Sequence, residues 1–323
     1  MSDPDLRQAP EDVDPQTPVA PVVAVVGATA TGKSAVAIEV AEALGGEVVG
    51  ADASQLYRGM DIGTAKVRPQ ERRGIPHHQL DVLDIDQDAS VAAYQRHARA
   101  DLAGIRARGR VPILAGGSGL YVRAVLDRLE IPPTDPRVRA RLEAELEASG
   151  AAPLRARLES LDPVAAGSIE PHNTRRIVRA LEVVELTGRP FSATLPVREY
   201  VTPTLAFAIG VETGELDARI GARTRAMFDE GLVGEVEALA ARGLADTRTA
   251  SRSVGYRQVL DHLEGRLTLP EAIEATAQAT RRLARRQVRW FGPDSRIRVL
   301  QADRAVGEII AAHGRARPSL DPR

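Results

Sequence analysis

Residues Gly27-Ala28-Thr29-Ala30-Thr31-Gly32-Lys33-Ser34 form a G-x-x-x-x-G-K-[ST] segment. Before it runs Val22-Val23-Ala24-Val25-Val26, continuously apolar and mostly β-branched; after it an apolar helical pattern extends from Ser34 to about Leu44. An unbroken apolar run of this length predicts a strand buried on both faces of a parallel sheet. The glycines let backbone N–H groups turn toward an anion, and the helix N-terminus adds about half a positive charge. Lys33 can reach outer phosphates, and the Ser34 hydroxyl suits a Mg²⁺ ion that travels with them. The segment therefore predicts a di- or triphosphate site without naming a reaction.

The rest of the chain supplies the sheet. Glu47 to Gly50 predicts a second short strand, Asp88 to Arg108 a long helix, and Val111 to Ala115 another buried strand closed by Gly116-Gly117. Strands alternating with helices imply βαβ units, an α/β fold with a doubly wound parallel sheet. Ile131-Pro132-Pro133-Thr134-Asp135-Pro136 breaks the pattern, and the following chain is helical and charged to about Pro203. Leu205 to Val211 then predicts one more core strand. Helices follow over Glu215 to Arg242, Ser253 to Leu263 and Glu271 to Phe291, the last with Pro270 at its start, where a missing N–H is harmless. Ile297 to Val299 adds a final short strand. The expected organisation is a P-loop core of residues 21–128 and 203–313, an all-helical insertion of 129–202, a disordered acidic tail of 1–20 and a loose tail of 314–323.

Composition excludes several classes. The 323 residues include no cysteine, which removes disulfides, thiolate zinc sites, iron–sulfur clusters and a cysteine nucleophile. No stretch approaches the roughly 18 apolar residues that span a bilayer. The acidic start is neither a signal nor a transit peptide, so a cytoplasmic protein is expected. The net charge of -1 says little about nucleic acid, because a basic groove can hide in a neutral total. Lys33 and Lys66 are the only lysines among the 43 basic residues. The strand ending Ile113-Leu114-Ala115-Gly116-Gly117-Ser118 carries no carboxylate, which weighs against an NTPase and leaves a small-molecule kinase open.

Further residues narrow the field. The segment Asp52-Ala53-Ser54-Gln55-Leu56-Tyr57-Arg58-Gly59-Met60-Asp61-Ile62-Gly63-Thr64-Ala65-Lys66 resembles the D-S-x-Q-x-Y-R-G-x-D-I-G-T-A-K stretch of the tRNA dimethylallyltransferases. Gly74-Ile75-Pro76-His77-His78, Gly116-Gly117-Ser118-Gly119-Leu120-Tyr121, Arg176 to Val183, Gly255-Tyr256-Arg257-Gln258, and Arg285-Arg286-Gln287 followed by Trp290 are similar to further motifs of that family, in family order. The chain departs from the pattern at Ala53, where the family has Ser, and at Ser118, where it has Thr.

The resemblance implies transfer of a dimethylallyl group from dimethylallyl diphosphate to N6 of the adenosine 3′-adjacent to the anticodon in tRNA, with Mg²⁺ and without ATP. Asp52 would be the catalytic base, although its position alone fits a turn aspartate equally well. Ser118 would sit near the bridging oxygen and the attacking amine, and Arg223 would contact the diphosphate. The partner would be the tRNA anticodon stem-loop, with no obligate protein partner and no membrane. The family residues at the RNA correspond to Asp52, Ala53, Ser54, Gln55, Ser118 and Arg139.

Arginine clusters suggest how RNA would be held. Arg281, Arg282, Arg285, Arg286 and Arg289 fall on one helical stripe of like charge, which suits a polyanion. Arg175, Arg176 and Arg179 form a second cluster in the insertion, and Arg252, Tyr256 and Arg257 a third. Together they suggest a clamp with the target base flipped toward Asp52. His77-His78 lacks metal-site spacing and is expected to position a loop. An adenylate isopentenyltransferase, a small-molecule kinase and a non-catalytic RNA-binding protein are the competing readings.

Overall fold

The computed structural model describes residues 20–194 and 197–316. Six strands form one sheet: β1 (Val22–Val26), β2 (Gly46–Gly50), β3 (His77–His78), β4 (Val111–Gly116), β5 (Thr204–Gly210) and β6 (Ile297–Gln301). Their order is β3-β2-β4-β1-β5-β6, and every neighbouring pair is parallel. All five residues of β1 are fully buried, as the β-branched run requires of a central strand. The helices are α1 (Lys33–Leu44), α2 (Val91–Ala107), α3 (Gly119–Leu126), α4 (Pro136–Ser149), α5 (Ala151–Leu161), α6 (Pro163–Ser168), α7 (Thr174–Thr187), α8 (Thr213–Asp229), α9 (Leu232–Ala240), α10 (Tyr256–Leu263), α11 (Leu269–Phe291) and α12 (Ala302–Ala316). The α/β parallel-sheet architecture expected from the sequence is present.

Contacts divide the chain into two units. One comprises the residues up to Ala89, Arg96–Val122 and Thr202 onward, and contains the sheet. Its core packs Val23, Val25, Val36, Val40, Ile113 and Phe207 with Ile309 of α12. A second cluster in this unit packs Tyr57 and Met60 against Leu232, Val236, Tyr256 and Val259.

The other unit comprises Ser90–Gln95 and Arg123–Val201. Leu142, Leu154, Leu158, Ile177 and Leu181 fill its core. Its helices start as their sequences dictate. Asp135 caps α4 ahead of Pro136, Asp162 caps α6 ahead of Pro163, and Asn173 caps α7.

Several boundaries differ from those expected. The helical stretch from Glu215 to Arg242 is two helices, because Gly231 takes φ 103° between them. His77-His78 is an edge strand, too short for periodicity to reveal, in which His78 Nε2 meets Glu47 Oε2 at 2.8 Å. α12 continues to Ala316, so residues 314–316 are helical. Residues 1–19 and 317–323 lie outside the described residues. Among the described residues no helix is long and apolar enough to cross a membrane.

The helical unit contains a buried ion network. Glu182 is fully buried and accepts from Arg139 Nη2 at 2.5 Å, Arg179 Nη1 at 2.7 Å and the Asp135 backbone N–H at 3.1 Å. Burial works to raise its pKa, but these donors together hold it below the usual carboxylate range. Glu182→Ala would remove the carboxylate shared by the partly exposed Arg139 and Arg179 and is expected to lower stability by about 1–3 kcal/mol in urea denaturation followed by circular dichroism. A loss below about 1 kcal/mol would show that the network contributes little.

Candidate functional site

The C-terminal ends of three adjacent strands bring the chemistry together. β1 runs into Gly27, β2 into Asp52 and β4 into Ser118. In open α/β sheets this edge, where the strand order reverses, is where ligands bind. Gly116 lets the ends approach closely: a Cβ there would lie 2.2 Å from the Ala51 carbonyl oxygen. Ala51 donates to Ala115 O and accepts from Ser118 N, which locks β2 to the turn after β4.

The loop from Gly27 to Ser34 adopts the conformations its glycines permit, with Gly27 at φ 133° and Gly32 at φ 87°, and it also forces Ala30 to φ 65°. Thr31 Oγ1 and Lys33 Nζ both donate to Ala28 O, at 2.9 and 3.3 Å. Thr29 N–H is taken by Gln287. The N–H groups from Ala30 to Ser34 have no acceptor among the described residues. A ring of free donors at a helix start is an anion site.

Its electrostatics agree. Burial pushes the Lys33 ammonium down to about 8, with Asp52 opposing the shift and Arg223 adding to it. Burial also lowers the Arg223 pKa, again against the pull of Asp52. The Arg223 Nε–H is buried and unpartnered among the described residues. Two cations therefore face one carboxylate, leaving net positive charge for an incoming anion.

Asp52, Ala53, Ser54, Ser118 and Arg223 line a cavity of about 410 Å³, with Thr29 of the loop at its edge. Asp52 Oδ1 accepts from Ser54 N at 3.0 Å, so the turn role is real, but it occupies only one carboxylate oxygen. Ser118 Oγ accepts from Ala53 N at 3.2 Å, which leaves its hydroxyl proton available. Ser54 Oγ lies 3.2 Å from Ser253 Oγ. Tyr121 also lines the cavity, its pKa pushed up to about 12 by burial and by the charges at Tyr57 and Asp52.

The segment from Asp52 to Lys66 is held from within. Lys66 is buried and donates to Asp61 and Asp81 at 2.6 Å each and to Tyr57 O at 2.8 Å. Gln55 Nε2 donates to Thr64 O at 3.1 Å, so it braces this loop from the base of the site. Glu235 accepts from the backbone N–H groups of Asp61, Ile62 and Gly63.

Not every expected RNA-facing residue is free to face RNA. Tyr256 is fully buried and donates to Glu235 Oε1 at 2.5 Å, with burial raising its pKa; it belongs to the core, which corrects its assignment. Arg139 and Arg179 are committed to Glu182, and Arg179 also donates to Pro132 O and Pro133 O. These two guanidiniums build the helical unit, contrary to expectation. Arg175 and Arg176 are exposed and have no ion pair among the described residues. Arg257 pairs with Asp261 at 3.2 Å and Arg285 with Asp217 at 2.9 Å, both at the surface. Arg281 pairs with Glu274, so the α11 stripe is partly countered. Arg252 and Arg286 are exposed and line the cavity itself.

Fold and site together define an α/β protein in which Thr29 of a glycine-rich strand-to-helix loop lines one cavity with a carboxylate and a hydroxyl. A profile of the IPP transferase family matches residues 55–294. A tRNA dimethylallyltransferase of Nocardioides sp. is 55% identical over 298 residues, covering 90% of this chain and 96% of its own. Another, of Streptomyces coelicolor, is 57% identical over 281 residues, covering 87% and 90%. Among solved structures, the tRNA isopentenylpyrophosphate transferase of Bacillus halodurans superposes with TM-score 0.65 at 37% identity, covering 91% of this chain and 95% of its own. A eukaryotic dimethylallyltransferase acting on tRNA superposes with TM-score 0.80 at 25% identity, covering 94% and 81%. The chain belongs to the IPP transferase family.

The lowered Lys33 pKa sets a pH dependence. Below about 8 the ammonium is charged and the cradle is at full strength; above it the charge is lost unless an anion restores it. Calorimetric affinity for inorganic diphosphate is therefore expected to fall as pH rises through about 8. Lys33→Met should bind more weakly and without that decline. Lys33→Met with the affinity and pH dependence of wild type would remove Lys33 from the site.

Proposed function

We infer that the protein transfers the dimethylallyl group of dimethylallyl diphosphate to N6 of the adenosine 3′-adjacent to the anticodon in tRNA. The observation that carries this reading is that Asp52 and Ser118 share one cavity with Thr29 of the glycine-rich loop, in a chain whose relatives are named tRNA dimethylallyltransferases. A kinase or an adenylate isopentenyltransferase is not favoured, since the tRNA-modifying relatives match most of the chain.

The diphosphate would lie on the Ala30 to Ser34 N–H groups, with Lys33 and the free Nε–H of Arg223 neutralising it. As the C1–O bond breaks, these groups stabilise the charge that develops on the leaving oxygen. Ser118 would donate its hydroxyl proton toward the same oxygen. The adenine N6 forms the new bond to C1 and passes its proton to the Asp52 oxygen not held by Ser54. Diphosphate leaves with the bonding electrons. Among the described residues no three carboxylate or histidine side chains cluster as a metal cage. The donor set suits Mg²⁺ bound through Ser34 Oγ, diphosphate oxygens and water, where it would add charge neutralisation.

RNA would be drawn to Arg252 and Arg286 at the cavity rim, to Arg257 and Arg285 beside it, and to Arg175 and Arg176 on the helical unit. Ala53, in place of a serine, gives the RNA a methyl at that point and leaves Ser54 as the nearby hydroxyl. The setting would be cytoplasmic.

Incubation with labelled dimethylallyl diphosphate, Mg²⁺ and either tRNA or AMP tests the reading, which predicts label in tRNA; label in AMP alone would refute it. Asp52→Ala should lose about 10²-fold or more in kcat while binding tRNA normally, and near-normal turnover would exclude it as base. Arg286→Ala should weaken tRNA binding and reduce its salt slope by about one, whereas an unchanged slope would place Arg286 off the RNA.

A further inference from the structure

Gln287 on α11 is 7% exposed and makes two long-range hydrogen bonds. Its Oε1 accepts from Thr29 N–H at 2.8 Å, and its Nε2 donates to Gly117 O at 3.0 Å. The two partners lie in different loops: Thr29 in the anion cradle, Gly117 immediately before Ser118. The approach is close enough that a Cβ on residue 117 would stand 2.4 Å from Gln287 Nε2. Ser118 in turn accepts from Ala53 N, next to Asp52.

We propose that Gln287 is a positioning residue for the transfer reaction, holding the diphosphate cradle at a set distance from Ser118 and the Asp52 turn. The proposal rests on the function inferred above. Displacement at carbon needs the leaving oxygen and the attacking nitrogen on opposite sides of C1, at near-contact distance. The diphosphate is fixed by one loop and the amine by the other. A side chain that bonds both loops converts two binding sites into one aligned pair. At neutral pH an uncharged amide of this length offers an acceptor to Thr29 and a donor to Gly117 together. Leucine offers neither. Ionised glutamate keeps the acceptor and turns a lone pair toward the Gly117 carbonyl. Protonated glutamate regains the donor.

The test compares wild type, Gln287→Leu and Gln287→Glu in kcat with dimethylallyl diphosphate and tRNA. Direct affinities for inorganic diphosphate and for an anticodon stem-loop are measured alongside. Gln287→Leu should lose about 10²-fold in kcat, with both affinities within about threefold of wild type. Gln287→Glu should be impaired at neutral pH and recover relative to wild type as pH falls. The charged groups lining the same cavity, Asp52, Arg223 and Arg286, are common to variant and wild type, so the ratio to wild type is the quantity read. Gln287→Leu with wild-type kcat, or loss confined to the two affinities, would overturn the proposal, as would a Gln287→Glu to wild-type ratio independent of pH. A wild-type protein that leaves tRNA unmodified would instead defeat the inferred function.

Discussion

The loop between β1 and α1 is built around donors that the protein does not satisfy itself. Half-buried Lys33 reaches a loop carbonyl, Arg223 keeps a buried Nε–H without partner, and the N–H groups from Ala30 to Ser34 point to no acceptor among the described residues. Donors and cationic groups gathered at one helix start favour negative charge there over neutral ligands. Asp52 moderates the imbalance, raising the pKa of both cations and keeping them charged near neutrality.

Everything around the cradle serves to place a carboxylate and a hydroxyl beside it. The parallel sheet brings the ends of β1, β2 and β4 side by side, and Gly116 lets them touch. Lys66 and Glu235 hold the segment after Asp52 through partly buried bonds that no ligand has to make. A site prearranged in this way loses little order when it binds, and its dipoles need not reorient as charge moves.

How much of this was legible in the sequence follows from the range of the interactions. The cradle, the buried strands and the capped helices are local patterns, and residues 22–44 show them directly. The placement of Asp52 and Ser118 at strand ends was also readable, because the strands that carry them are short apolar runs closed by glycine. What local pattern could not show is commitment. Arg139 looks like a free cation until Glu182, 43 residues along the chain, is found buried beside it, whereas the Arg179 pair with Glu182 is a local i,i+3 contact whose burial the sequence does not show. Tyr256 sits in a basic motif, yet its ring fills the core and its hydroxyl serves Glu235. Gln287 follows two arginines whose charge dominates the motif; its importance lies in bonds to Thr29 and Gly117, far along the chain. An uncharged glutamine inside a basic stripe, on the face that α11 buries, was the available signal.

The central claim is that the unsatisfied donors of this loop receive the leaving group. A crystal structure of the protein soaked with inorganic diphosphate and Mg²⁺ tests it most directly. Diphosphate oxygens are expected within hydrogen-bond distance of the Ala30 to Ser34 N–H groups and of Arg223 Nε, with Asp52 unbound to them. Diphosphate bound elsewhere, with Lys33 and Arg223 still without an anionic partner, would contradict it.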